Sequence, residues 1–485
     1  MSLPYSSYSQ KHNGEICVSL LGTLTVLGGL VTAIVLIPDD PRPTGAMFWP
    51  ALSLVLGLLA VPILLMQASV SSILRSEHML MIALVYWLLL DMLQSAYPLE
   101  LVTYDSVVMA IIAIGTMAIG IWIGTLGKGW HPPKLIIRAA QLSLNDSMLF
   151  LAVWITFFLG MFHIAWSSGF DPSVMIDGLF GVRFAAPWDR GALGDWNAFS
   201  EHMIYFGYVL PSLTVLLAHQ RGWVQPRVVI SATLSLIMVL FLMQFGGRRI
   251  IGVVIGAALV VWLLLQKQLR PKVVIGALLG LAILLTVMQE MVLFRKVGFE
   301  GWLRGESPEM ISHLHVDDNF LRLSQTTALF PNITPYAGIE PLAYVLARPI
   351  PRVFWADKPV DPGYDLSTLI NLQGSKGTAL THSIVGELYT MYGLGAVFLG
   401  GLFFGRLARM WNKILDVSGG NKILVYGLGT MIIFVSIRSM QDLVIMSYAL
   451  FGWIVVARML HSRKTNRSVP VQSYTALPPH RLDSQ

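Results

Sequence analysis

Apolar residues in this chain collect into long runs parted by polar stretches. The runs fall near 16–37, 46–67, 79–97, 106–127, 147–167, 198–218, 228–245, 250–266, 273–294, 386–405, 422–440 and 442–460. A helix needs roughly 20 apolar residues to cross a hydrocarbon core, so the pattern predicts an all-α polytopic membrane protein with about 12 transmembrane helices. Two tight pairs, 228–245 with 250–266 and 422–440 with 442–460, are separated only by short charged turns. No repeat of fixed period is present. The simplest division is a single transmembrane domain over 1–460, with large loops at 168–197 and 295–383, followed by a polar tail at 461–485 whose composition predicts disorder. The polar stretch Met1–Glu15 leads into a full-length apolar run without a small-residue cleavage site, which predicts a retained first span and not a removed signal peptide.

Composition agrees with the pattern. Of 485 residues, 55% are hydrophobic and 12% are charged, where a soluble domain carries about 25% charged residues. The net charge of +6 is that of cytoplasmic loops that collect Lys and Arg, and nucleic acid is not among the expected partners. The single cysteine, Cys17, lies in the first run and excludes an intrachain disulfide.

The distribution of cations sets an orientation. With the N-terminus in the cytoplasm, the short inside segments and the tail hold 19 Lys and Arg, and the short outside segments hold 6. That asymmetry predicts both termini inside. It also leaves a set of outer arginines to explain. Arg248 and Arg249 follow Gly246-Gly247 in a two-helix turn, and Arg438 sits at another such turn beside Gln441 and Asp442. Arg183 and Arg190 lie in the 168–197 loop, and Arg348, Arg352 and Lys358 lie in the long one. A guanidinium fork suits bidentate contact with phosphate, so this pattern fits the pyrophosphate of a lipid-linked substrate. Contacts with membrane lipid headgroups, or capping of helix C-termini, would call for the same residue type. The acidic residues within or bordering the spans, Asp91, Glu201, Glu290, Glu387 and Asp442, fall in the outer halves of their helices. Ionisable groups at membrane depth mark function by default, and their one-sided placement predicts an outward-facing polar cavity.

The 295–383 loop is far longer than an unstructured connection of roughly 15 residues. Within it, Val316, Phe320, Leu323, Thr327 and Phe330 repeat at helical spacing, which predicts a short amphipathic helix lying on the membrane surface. Trp355, Tyr364 and Trp188 offer aromatic faces for sugar stacking, although an aromatic belt has the same composition. No phosphate-binding or dinucleotide glycine motif is present, and His313 and His315 lack a second His/Cys pair at metal spacing. The expectation is a site without metal or cofactor.

The run Arg348-Pro-Ile-Pro-Arg352-Val-Phe-Trp355-Ala-Asp357-Lys358-Pro359, the later Ser383-Ile-Val-Gly386-Glu387-Leu-Tyr389, and the Gly-Gly-Arg-Arg turn at 246–249 resemble the bacterial oligosaccharide repeat unit polymerases, the Wzy-type O-antigen and exopolysaccharide polymerases. The specific motifs cover about 60 residues. The resemblance implies a GT-C-like glycosyltransferase of the bacterial inner membrane with a periplasmic active site. Such an enzyme passes a growing glycan from undecaprenyl pyrophosphate to the non-reducing end of an incoming lipid-linked repeat. A chain-length regulator and a flippase are the implied protein partners. On that reading Arg248, Arg249, Arg352 and Arg438 clamp the leaving pyrophosphate, with Arg348, Lys358, Arg183 and Arg190 as further candidates. Glu387 is the first candidate for the base, followed by His382, Asp357 and Asp365. An O-antigen ligase, which shares the donor lipid, and a flippase or transporter are the alternatives left open.

Overall fold

In a computed structural model, the described residues are 5–465 except 67–69, 128, 183–184, 190–199, 246, 267, 269, 307–312, 315, 351–353, 356, 360–361 and 371–379. Gly246, Arg183, Arg190, Arg352 and the 461–485 tail beyond Thr465 therefore lie outside the description or at its edge. The described chain is helical and without strands. Its main helices are α1 (Tyr5–Val35), α2 (Phe48–Met66), α3 (Ser76–Leu93), α4 (Tyr104–Leu126) and α5 (Asp146–Ser167). Next come α6 (Leu210–Arg221), α7 (Pro226–Phe245), α8 (Arg248–Leu264) and α9 (Pro271–Leu303). The last five are α10 (Asn319–Leu329), α11 (Glu340–Ala347), α12 (Ser383–Asn412), α13 (Lys422–Ser436) and α14 (Met440–Thr465).

Among the described residues, nine of these helices contain stretches long and apolar enough to cross a membrane. The remaining three predicted spans are shorter. The 198–218 run forms a single turn, Ile204–Gly207, and the 12-residue α6; Pro211 in the first turn of α6 favours a helix start there over continuation. Helix α8 has 17 residues and α13 has 15. At 1.5 Å per residue, α13 is about 22 Å long, short of the roughly 30 Å hydrocarbon core.

Hydrogen bonds between distant loops sort the helix ends into two groups. At one end, Arg409 donates to Glu15 Oε2 at 2.9 Å, Lys413 to the Gly129 carbonyl at 2.6 Å, and Tyr426 to the Leu74 carbonyl at 2.8 Å. At the other end, Leu99 N donates to the Arg42 carbonyl at 2.8 Å, and Gln94 exchanges hydrogen bonds with the backbone of Leu314. Gln325 reaches the Glu100 carbonyl at 2.9 Å. This alternation along the chain is the one that the apolar runs require.

Small residues let the central helices approach closely. Gly120 and Gly124 of α4 face Gly401 and Gly405 of α12; a Cβ on Gly120 would lie 2.7 Å from the Phe398 carbonyl oxygen, and one on Gly401 would lie 2.6 Å from that of Met117. Paired small-xxx-small stripes are the packing device of helices in lipid, where close backbone contact replaces the hydrophobic effect. Helices α8 and α13 pack against each other likewise: a Cβ on Gly427 would meet Val261 Cγ2 at 2.7 Å.

Helix α10 forms where the apolar stripe predicts it, but it does not lie on a surface. Asn319, Leu323, Ser324 and Thr326 are fully buried, and Thr327 donates to the Ser106 carbonyl of α4 at 2.7 Å. The hydroxyls that make the helix look amphipathic bond to its own carbonyls or to α4. The hydroxyls of Ser324, Thr326 and Thr327 are thus satisfied inside the protein, whereas the buried Asn319 amide has no partner among the described residues. In the same way α3 begins at Ser76, ahead of the predicted run, and so brings Glu77 into a buried position. There Arg75 Nε and Asn412 Nδ2 each donate to it at 2.5 Å. Acidic residues are therefore not confined to one end.

Candidate functional site

The arginine-bearing turns meet at the end of the bundle that holds the long loop. Gly247, extended at φ −80° and ψ 161°, starts α8 so that Arg248 and Arg249 occupy its first turn. Helix α13 ends at Ser436, and the turn 437–439 carries Arg438 before α14 begins at Met440. Arg438 Nε donates to Asp317 Oδ2, and its Nη1 donates to Asp442 Oδ2 at 3.1 Å. Arg248 Nη2 donates to Asp317 Oδ1 at 3.1 Å and to the Val316 carbonyl at 3.2 Å. Arg249 Nη1 lies 3.2 Å from Asp442 Oδ1. The result is an alternating chain, Arg248–Asp317–Arg438–Asp442–Arg249, in which each carboxylate is shared by two guanidinium groups.

Arg348, at the C-terminal end of α11, joins from the long loop. With the Gln441 amide oxygen facing it, that oxygen accepts from Arg348 Nη2 at 2.8 Å and Nε at 3.0 Å. The guanidinium also lies 5.4 Å from the Tyr344 ring centroid. Lys358 is buried and donates to the Ile350 carbonyl at 2.8 Å and the Arg348 carbonyl at 3.3 Å, so it braces the loop and does not present its charge outward. Of the eight cations expected to bind pyrophosphate, the structure groups Arg248, Arg249, Arg348 and Arg438. Arg183, Arg190 and Arg352 are outside the described residues.

Glu387 sits half-buried in the first segment of α12. Its Oε1 accepts from Ser439 Oγ at 2.6 Å and its Oε2 accepts from Met440 N at 2.6 Å. The carboxylate thus caps the N-terminus of α14 and ties α12 to the Arg438 turn, as does Ile384 N bonding to the Ile437 carbonyl at 3.0 Å. The segment ends at Gly393, whose φ of 65° breaks the helix; Tyr392 just before it is also non-helical. A glycine is needed at 393 because the left-handed region is strained for other residues.

His382 is 4% exposed. Its Nε2 pairs with the Tyr364 hydroxyl at 2.8 Å, its Nδ1 has no hydrogen-bond partner, and burial pushes the imidazole down to about 4. The ring lies where a side chain at Gly386 would be, which explains the glycine of the Gly-Glu pair. The imidazole is enclosed between Tyr364 and Gly386. Asp357 and Asp365 are exposed on the loop.

The expected sugar platforms divide. Trp355 is 41% exposed. Trp188 is 2% exposed, edge-on to Phe241 with its ring under Gly178, and cannot stack on a sugar. Tyr364 is half-buried, edge-on to Phe330 and bonded to His382, so its face is also taken.

Asp317 is the residue that the sequence did not single out. The signal was present as Asp317-Asp318-Asn319 just ahead of the α10 stripe. Asp318 takes the left-handed conformation, φ 50°, that Asp tolerates, and this turn aims Asp317 away from the helix it precedes. Aromatic groups line the neighbouring wall: the His202 and Tyr448 ring centroids are 5.0 Å apart, and those of Tyr205 and Tyr448 are 5.2 Å apart. Glu201, expected within a span, is exposed. Asp91 is buried and accepts from the Tyr97 hydroxyl at 3.1 Å, not from an arginine.

The architecture defines the class, a multi-pass membrane protein with a cluster of charged side chains at one end of its helices. Comparison of the chain with protein-family models, with curated proteins and with solved structures finds no match.

Proposed function

We propose that the protein is a Wzy-type oligosaccharide repeat unit polymerase, a glycosyltransferase of the bacterial inner membrane with twelve spans, both termini in the cytoplasm and the arginine cluster facing the periplasm. The observation that carries the reading is the convergence of Arg248, Arg249, Arg348 and Arg438 from three separate segments onto one place. It is supported by the 19 to 6 excess of cations on the other side and by the resemblance of the 348–359 and 383–389 motifs.

In the reaction, a hydroxyl at the non-reducing end of the incoming lipid-linked repeat attacks the anomeric carbon of the growing chain. A carbon–oxygen bond forms there as the bond to the pyrophosphate oxygen breaks. Undecaprenyl pyrophosphate leaves with the electron pair, and the hydroxyl proton passes to a base. The guanidinium groups stabilise charge that grows on the departing diphosphate, a contribution of about 10²–10³ per well-placed donor. Asp317 and Asp442 hold the forks in place beforehand, so little reorganisation accompanies the reaction. Each carboxylate oxygen has two lone pairs, so Glu387 retains acceptor capacity beyond its bonds to Ser439 and Met440. It is the base in this reading, tied to the residues that directly follow Arg438 by its bonds to Ser439 and Met440.

Purified protein given a defined undecaprenyl-pyrophosphate-linked repeat will produce a ladder of lengthened glycolipids without a membrane barrier. Absence of a ladder, with transfer instead to a lipid A core acceptor, would replace the polymerase with a ligase; absence of both would remove the enzyme reading.

A further inference from the structure

A cavity of about 300 Å³ opens between α7, α9 and the short helix Pro172–Phe180. Its walls include Leu240 and Met243 of α7 and Val287, Met291 and Phe294 of α9. Helix α9 kinks at Gly298, whose φ of 73° turns the chain back so that Phe299 and Trp302 close over the groove. Phe299 packs on Phe180 with ring centroids 4.8 Å apart. The carboxylate at the groove, Glu290, accepts from Trp302 Nε1 at 3.2 Å, so the indole N–H is satisfied without water.

We propose that this groove seats the isoprenoid chain of a lipid diphosphate whose head lies on the arginine cluster, an inference that rests on the polymerase reading above. Two links join the groove to the cluster. Met243 precedes Arg248 by five residues, at most about 17 Å of extended chain. On α9, Gln289 beside Glu290 donates to the His313 carbonyl at 3.0 Å, and His313 begins the segment that delivers Asp317 to Arg248 and Arg438. A ligand with a diphosphate head and a hydrocarbon tail fits both halves at once. Membrane acyl chains would fit the groove but would not depend on the cluster.

The test uses full-length protein in nanodiscs of phosphatidylethanolamine and phosphatidylglycerol. The probe is an undecaprenyl diphosphate analogue with a diazirine in its isoprenoid chain. Labelled peptides should come from α7 and α9, and unlabelled undecaprenyl diphosphate should compete where extra phosphatidylglycerol does not. Met243→Trp and Val287→Trp fill the groove, and excluding a few carbons should lower labelling by roughly tenfold. Leu279→Trp, at an exposed position of α9, should leave it unchanged. Labelling elsewhere, equal competition by phosphatidylglycerol, or unchanged labelling in both groove variants would overturn the proposal. The glycolipid ladder from the same samples separates the two readings: a ladder without groove labelling rejects the groove alone, and groove labelling without a ladder rejects the polymerase alone.

Discussion

Arg438→Ala removes the centre of the alternating charge chain. The wild-type side chain is 14% exposed and donates to Asp317 and to Asp442. A hydrogen bond to a charged group contributes about 1.5–3 kcal/mol. Asp317 keeps Arg248 at 3.1 Å and Asp442 keeps Arg249 at 3.2 Å, so neither carboxylate is left alone and the low end of that range applies. Two bonds then amount to about 3 kcal/mol, the low end of the roughly 3–5 kcal/mol for breaking a buried ion pair. Unfolding by SDS in mixed micelles reads this loss. A double-mutant cycle with Asp442→Asn should return a coupling of about 1 kcal/mol or more. Arg438→Lys should recover only part, because a compact ammonium on a flexible stem lacks the rigid planar fork whose Nε and Nη1 point at the two carboxylates. In lipid-linked repeat extension, the alanine variant should slow polymerisation by about 10²–10³. Unchanged stability with zero coupling would refute the ionic bracket, and a folded variant with a normal ladder would refute the clamp.

Gly401→Ala should destabilise by about 1–3 kcal/mol in the same micelle assay, because the added methyl would come within 2.6 Å of the Met117 carbonyl oxygen; no loss would mean that α4 and α12 are not in backbone contact. Gly386→Ala should also destabilise by about 1–3 kcal/mol by forcing the His382 ring off Tyr364, whereas Gly395→Ala, with nothing within 4 Å of its Cβ, should be neutral or stabilising. In a Cys17→Ser background, Gly247→Cys should react with an impermeant maleimide from the periplasm and Asp416→Cys only after the membrane is opened. The reverse pattern would invert the topology and move the arginine cluster to the cytosol.

The long apolar runs were legible as helices because a helix satisfies its own backbone in lipid whatever surrounds it. The runs at 106–127 and 147–167 accordingly end within two residues of α4 and α5. The grouping of Arg248, Arg249, Arg348 and Arg438 at one end followed from the same count, since an even number of crossings returns the chain to the same side. Local glycine chemistry was also readable once its partners were known, as at Gly386 and Gly393.

Pairing was not legible. Arg438 and Asp317 are 121 residues apart, and no pattern along the chain distinguishes Asp317 from its neighbour Asp318. The α10 stripe is the same whether the polar face meets water or the carbonyls of α4, so periodicity assigned the helix and misplaced it. Trp188 and Trp355 look alike in sequence, and only packing buries one and exposes the other. Hydropathy acts on each segment separately and so determined which stretches become helices. Which carboxylate meets which guanidinium depends on contacts between segments, and those exist only once the helices have packed.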